Sequence, residues 1–344
     1  MQKNLANQQF LYFICPVKYL ENEHTDPHLN MALDEYLLQD SGFDEPLFCL
    51  WRNSPSVIIG LNQSAFSEVN LKYLKDNNIK LARRVTGGGA VYHDLQNLNY
   101  TISGRSRNLE RDYPDYVHAV ADALRRLGVP AQTNGRNDIT VEGRKCSGYA
   151  KRVYKDRLLV HGTLMFNVDI QALTNALAVP GSKVQSSGIE SVKSRVANLK
   201  DYFPESFTVT DLKAHLQEIL AGRDAAVKLD SEAWDGIFRM KEEKFGTDGW
   251  IYGKSPATAV TRTKKFACGS ISANFDIVKG KIRNLSFGGD FIGNENADFL
   301  ADALEGAGIL DSHGIAARIS KAGGAAKFFD GLDDESLGKF IIGL

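Results

Sequence analysis

Apolar residues recur along this chain with two different periods, and the switches between them lay out its elements. Leu29, Leu33, Tyr36 and Leu37 fall at i, i+4, i+7 and i+8, the spacing of an amphipathic helix. Leu47 to Trp51 and Val57 to Gly60 are short β-prone runs, and the Arg52-Asn53-Ser54-Pro55-Ser56 link between them predicts a hairpin. A second helix is expected from Val69 to Asn77. Lys80 to Val85 and Ala90 to His93 are β-prone again, with Gly87, Gly88 and Gly89 in a strand-to-strand turn, and a strand from Asn99 to Ser103 follows. Val117, Val120, Ala121, Leu124 and Leu127 share one face of a helix over 115–127, which Gly128 stops.

Three further β-like runs follow, over 138–141, 145–154 and 158–167, with turns at Glu142-Gly143 and Lys155-Asp156. Residues 180–195 are polar, basic and rich in Ser and Gly, the composition of a lid or a disordered segment. Helices are expected around 211–220 and 231–244, a linker at Phe245 to Gly249, strand-like alternation from Ala259 to Phe287, and a helix from Ala297 to Leu304. Strands and helices mixed without regular βαβ alternation predict an α+β fold with a largely antiparallel sheet.

Composition narrows the class. A chain of 344 residues with 43% hydrophobic and 24% charged residues is an ordinary globular protein, long enough for two domains. A net charge of -1 offers no global basic field for nucleic acid and no polybasic anchor for a membrane surface. The opening residues are too polar for a signal peptide, so a cytoplasmic location is expected. Cys15, Cys49, Cys146 and Cys268 lie far apart without a C-x-x-C pair, which argues against a zinc site or a disulfide framework.

The stretch Arg83-Arg84-Val85-Thr86-Gly87-Gly88-Gly89-Ala90-Val91-Tyr92-His93-Asp94 carries the clearest chemistry. Three glycines are a costly turn, since they lose much backbone entropy and pack nothing. What they offer is backbone N–H groups that a ligand can approach, and the two arginines beside them carry forked donors suited to carboxylate or phosphate. A flexible turn between solvated arginines is the alternative at this point. A second cluster lies downstream: Asn134-Gly135-Arg136-Asn137-Asp138, Arg144-Lys145-Cys146-Ser147-Gly148 and His161-Gly162-Thr163. Taken singly, Lys145 reads as a turn lysine, His161 as a core histidine and Asp138 as a cap. Together, on three adjacent strands, they suit an anionic ligand, with Asp138 able to hold magnesium. No P-loop, no G-x-G-x-x-G after a strand, no H-E-x-x-H and no G-x-S-x-G is present.

These motifs, in this order, resemble those of the lipoate-protein ligase A (LplA) family. Its lipoate signature R-R-x-[ST]-G-G-G-A-V-[FY]-H-D stands at Arg83 to Asp94, its G-R-N-D element at Gly135 to Asp138, its R-K-x-S-G element at Arg144 to Gly148 and its H-G-[ST] element at His161 to Thr163. The resemblance implies a class II aminoacyl-tRNA synthetase/biotin-lipoate ligase-like mixed sheet with flanking helices, over 1–245, and a small α+β accessory domain over 246–344. It implies ATP and Mg²⁺, activation of lipoate to lipoyl-AMP, and transfer to a lysine of apo lipoyl domains in 2-oxoacid dehydrogenase E2 subunits or of the glycine-cleavage H protein. By the same resemblance Lys145 is catalytic. Arg84, Gly89, Ala90, Val91, Tyr92, Asn137 and Asp138 join it at ATP and the adenylate. Trp51, Thr86, Gly87, Gly88, His93, Ser147, His161 and Gly162 join Arg84, Gly89 and Lys145 around lipoate, and residues 180–196 form the lid.

Two departures stand out: Gln96 where the family has Gly, and Tyr149 where it often has a small residue. The rival reading is an ATP-independent acyltransferase of the same superfamily working through a cysteine thioester. Its cysteine would stand within Asn134 to Asp138, where this chain has none. Strand alternation turns Cys146 away from the face of Lys145 and into the core. A non-catalytic lipoyl-binding relative is the remaining alternative, and it would be marked by loss of Lys145 or of the glycine run; both are intact.

Overall fold

In the computed structural model the described residues are 17–39, 42–43, 45–63, 65–106, 108–134, 138–177, 194–222, 226–252, 260–278, 281–309 and 311–343. The expected lid at 180–196 therefore lies outside them except for its last three residues.

The main sheet has eight strands: β1 (Lys18–Glu21), β2 (Leu47–Trp51), β6 (Asn97–Arg105), β7 (Ala131–Thr133), β8 (Asp138–Val141), β9 (Arg144–Tyr154), β10 (Arg157–Met165) and β11 (Ala226–Val227), in the order β11-β1-β2-β6-β10-β9-β8-β7. All neighbours are antiparallel except β11-β1 and β1-β2. A second sheet of three short strands, β4 (Lys80–Arg83), β3 (Ser56–Ile59) and β5 (Val91–His93), holds the glycine loop.

Both expected hairpins around this loop are corrected. β2 and β3 belong to different sheets, because the link of residues 52–55, with Pro55, carries the chain out of one and into the other. β4 and β5 do not pair with each other: β3 lies between them, parallel to β4 and antiparallel to β5. The glycines thus bridge across an intervening strand. The parallel β3-β4 pair needs a crossover, supplied by the short helices α2 (Ala65–Glu68) and α3 (Leu71–Asp76). Asn70 caps α3, its side chain accepting from the Tyr73 N–H.

Helix α1 (Pro27–Gln39) is buried along most of its length, polar Asn30, Asp34 and Glu35 included. Helix α4 (Leu109–Arg126) begins earlier than its apolar stripe announces and carries Pro114 in its N-terminal part. It packs Val117, Val120, Ala121 and Leu124 against the main sheet in one core with Tyr100, Val160 and Leu164. The Phe245–Gly249 stretch leads into a further short helix, α8 (Asp248–Tyr252), which follows α5 (Ile170–Leu177), α6 (Val209–Ala221) and α7 (Ser231–Met240); Phe245 is fully buried. The C-terminal part is an antiparallel sheet of β12 (Val260–Phe266), β13 (Gly269–Val278) and β14 (Lys281–Gly289), with α9 (Ala297–Leu304), α10 (Ser312–Lys321), α11 (Ala325–Phe328) and α12 (Asp334–Ile342). It has a core of its own around Phe275, Phe291, Phe329 and Ile341.

Arg83 ties three segments together. Its guanidinium is fully buried and donates to the carbonyls of Gly60, Leu61 and Gln63 after β3 and of Trp250 and Ile251 in α8, at 2.6 to 3.2 Å. The Trp250 indole returns a bond to the Arg83 carbonyl at 2.9 Å. A sequence-expected anion donor is thus a structural staple. Arg83→Leu leaves those carbonyls unpaired in the interior and is expected to cost about 3 kcal/mol or more of stability. Urea unfolding of wild type and variant measures the difference.

Candidate active site

Arg84 shapes the loop that follows β4. Its Nη2 donates to the carbonyls of Gly87 (2.6 Å) and Gly89 (2.8 Å), its Nε to Gly87 and to Thr86 Oγ1 (both 3.1 Å), and its Nη1 to Ile58 (3.0 Å). Burial lowers its pKa to about 10, so it stays charged at neutral pH. Like Arg83, it offers no open fork to an anion: the loop wraps its guanidinium. Gly88 has φ +89°, a left-handed conformation that favours glycine. A Cβ on Gly87 would lie 2.4 Å from the carbonyl oxygen of Phe291, and the Gly88 N–H donates to that same oxygen at 3.2 Å. The C-terminal part therefore seats its Phe291 carbonyl on the glycine loop.

Behind the loop runs a buried polar chain. His161 Nδ1 on β10 donates to Asp34 Oδ2 on α1 at 2.7 Å, and its Nε2 lies 2.7 Å from the Thr86 hydroxyl. Thr101 on β6 donates to Asp34 Oδ1 at 2.7 Å and accepts from the Trp51 indole of β2 at 2.9 Å. Each ring is thereby held at its polar edge. Trp51, 4% exposed, can turn only by breaking a buried hydrogen bond.

In front of this chain lies one cavity. Its apolar wall includes Met31, Trp51, Ile58, Ala90 and Val91, and its polar features are Lys145, His93, His161, Asn99 and Thr163. Arg84, Gly88, Gly89 and Gly162 also line it, as does Tyr149. The sequence-expected residues are thus largely brought together. Thr86 and Gly87 lie behind the wall, the first on His161 and the second against Phe291. Strand alternation puts Val91 and His93 on one face of β5 and turns Tyr92 into a different core with Val57 and Leu81. Ser147 is fully buried on β9, its hydroxyl without a partner among the described residues. Asn137 lies outside the described residues.

Lys145 is the second residue of β9 and Asp138 the first of β8, with Lys145 Nζ 2.6 Å from Asp138 Oδ1. A bulge between Ile139 and Thr140 shifts the register there. Lys145 is 40% exposed, at the polar mouth of the cavity. Its backbone is held on the other side by segment 195–197: its N–H donates to the Arg195 carbonyl and its carbonyl accepts from the Ala197 N–H, both at 2.8 Å. Cys146 points the other way, fully buried in the main core, its thiol pushed up to about 12 by burial. Cys49, Cys146 and Cys268 are all buried and in no disulfide among the described residues.

Asp34, Asn53, Asn99 and Thr101 were missed by motif reasoning. For Asp34 the signal is composition out of place: with Asn30 it puts polar side chains one turn apart on a helix whose buried positions are mostly apolar, and a buried carboxylate demands a partner.

A family model described as the lipoyl protein ligase A/B catalytic domain matches residues 26–221. The chain belongs to the lipoate-protein ligase family. A second model, the bacterial lipoate protein ligase C-terminus, matches residues 255–341. A curated relative, lipoate--protein ligase 1 of Staphylococcus aureus, is 37% identical over 84% of this chain and 90% of its own length. Among solved structures, P. falciparum LipL1 in complex with lipoate superposes with TM-score 0.71 at 28% identity, covering 84% of this chain and 88% of that one. A lipoate-protein ligase A bound with ATP gives TM-score 0.60 at 28% identity over 70% of this chain and all of that one. An archaeal bipartite lipoate protein ligase from Thermoplasma acidophilum, described with its E2 lipoyl domain, gives 0.64 at 29% identity over 72% of this chain and all of that one. The architecture is the expected class II synthetase-like α+β fold of this ligase family, with a small C-terminal domain.

Burial, and after it the neighbouring Arg84 guanidinium, lowers the pKa of His93 to about 3, so the ligase folds with that ring neutral. Below about pH 6.5 the unfolded chain takes up a proton that the folded one refuses, so stability falls on acidification by up to about 1.4 kcal/mol per pH unit from this group. Denaturant unfolding between about pH 7 and pH 5 should show a shallower loss in His93→Gln than in wild type.

Proposed function

We propose that this lipoate-protein ligase works in two steps at the cavity fronting Trp51 and Lys145. In the first, a lipoate carboxylate oxygen attacks the α-phosphorus of ATP, forming lipoyl-AMP and releasing pyrophosphate. In the second, the amine of an acceptor lysine displaces AMP from the acyl carbon. The observation that carries this reading is an apolar slot closed by Trp51, Met31, Ile58 and Val91 that has an accessible ammonium, Lys145, at its polar mouth. An aliphatic acid fits such a slot with its carboxyl outward.

Joining two anions is opposed by charge, so the protein helps most by stabilising charge electrostatically. Lys145 would sit between the acyl carbonyl and the α-phosphate, exchanging its contact with Asp138 for them. The loop of Gly89, Ala90 and Val91 would follow the adenylate with its backbone, and Arg84 would act by holding that backbone open. Asp138, beside Asn134 and Lys145, is the carboxylate that fits Mg²⁺, an ion held by few protein groups alongside phosphates and waters. Among the described residues no cluster of three or more His, Cys, Asp or Glu offers an all-protein metal cage. When bound, the ion would neutralise phosphate charge.

The acceptors proposed are apo lipoyl domains of E2 subunits and the glycine-cleavage H protein, modified in the cytoplasm. Residues 1–245 would form the catalytic domain and 246–344 the accessory domain. Among the described residues no helix is long and apolar enough to cross a membrane.

Incubated with lipoate, ATP, Mg²⁺ and an apo lipoyl domain, the protein should add one lipoyl group to the acceptor, read by mass spectrometry, and add none without ATP. Lys145→Ala is expected to slow this by about 100-fold or more while leaving the circular dichroism spectrum unchanged. Cys146→Ser is expected to remain active; loss of activity in that folded variant, or modification without ATP, would revive the thioester route.

A further inference from the structure

His93 closes β5 beside Trp51, the two ring centroids 6.2 Å apart and nearly edge to face. It is 3% exposed and lines the cavity. Its Nδ1 lies 3.1 Å from Asn53 Nδ2. A chain of amides fixes which way that bond runs. Asn30 Nδ2 meets the backbone carbonyls of His24 (3.0 Å) and Arg52 (3.2 Å), groups that only accept, so it is a nitrogen. The same nitrogen meets Asn53 Oδ1 at 2.8 Å, and Asn22 Nδ2 donates to Asn30 Oδ1 at 2.9 Å. Asn53 therefore turns its NH₂ toward His93, and Nδ1 of that ring accepts. A neutral ring accepting at Nδ1 carries its proton on Nε2.

That Nε2–H is buried and has no partner among the described residues. A donor so placed is costly to bury unless an occupant of the cavity takes it. On the proposed reading the occupant is lipoate, whose acceptors are its carboxylate oxygens and its two ring sulfurs. The carboxylate belongs with Lys145 on β9 of the main sheet. His93 instead shares a face of β5 with Val91, on the small sheet, beside Ile58 and Trp51. An acceptor within that apolar compartment is a sulfur.

We propose that the Nε2–H of His93 recognises a dithiolane sulfur, with Asn53 as its positioning residue, and so sets the preference for lipoate over an all-carbon chain of equal length. The inference rests on the ligase reading above. A sulfur is a weak acceptor, but a buried donor otherwise unpaired gains a partner only from the ring, never from a saturated chain. Asn53→Asp replaces the donating NH₂ by an acceptor, which forces the His93 proton onto Nδ1 and leaves Nε2 without one.

The test is the ratio of kcat/KM for lipoate to that for octanoate in pyrophosphate release, with ¹⁵N chemical shifts of the His93 ring in the ligand-free protein. Wild type should show the Nε2–H tautomer and favour lipoate. Asn53→Asp should show the Nδ1–H tautomer, and His93→Phe removes the donor altogether; in each the ratio should fall about 3- to 10-fold. A wild-type Nδ1–H tautomer, or an unchanged ratio in both folded variants, would overturn the assignment of His93 while leaving the ligase reading standing. Activation of neither acid by wild type would overturn both.

Discussion

The carboxylate of Asp34 is the fixed point from which the site is built. It is 2% exposed, on a helix packed against the sheet, and a charge so placed persists only when its oxygens are satisfied. Thr101 and His161 supply that satisfaction from two neighbouring strands. Through Thr101 the carboxylate orients Trp51; through His161 and Thr86 it reaches the side chain of Arg84, around which the glycine loop is wound. One buried carboxylate thus fixes the slot's aromatic wall and the loop at its rim by the same network. Networks of this kind rigidify when fully satisfied, and a ligand slot needs that rigidity to hold an aliphatic chain in one register.

The glycine run has a corresponding explanation. Its N–H groups are not all free for ligand, because Phe291 of the C-terminal part already accepts from Gly88 and lies too near Gly87 for any side chain there. The loop is therefore a joint between the two parts of the chain as well as a rim of the cavity. Gly289 donates to the Asn62 carbonyl at 2.7 Å just beyond it, reinforcing the same contact.

Much of the site was legible because its residues lie in local motifs. Asp138, Lys145 and His161 were placed on three consecutive antiparallel strands by turn signals alone, and the sheet order β8-β9-β10 brings them together. The orientation of Cys146 followed from strand alternation. What the sequence withheld was non-local. The insertion of β3 between β4 and β5 has no signature in the segments it separates, since local β propensity says nothing of partner choice. The arginines read as ligand donors because exposed arginine is the commoner case; Arg83 is buried against carbonyls 20 and 167 positions away, and Arg84 against its own loop and the Ile58 carbonyl 26 positions away. Asp34 and His161 are 127 residues apart, and only the sheet and α1 together join them.

The chemistry then reduces to whether the ammonium at the mouth of this slot activates a carboxylate with ATP. Exchange of labelled pyrophosphate into ATP by the purified protein, with Mg²⁺ and no acceptor, measures that step alone. The account predicts exchange that depends on lipoate. No exchange in folded protein, or exchange indifferent to lipoate, would contradict it.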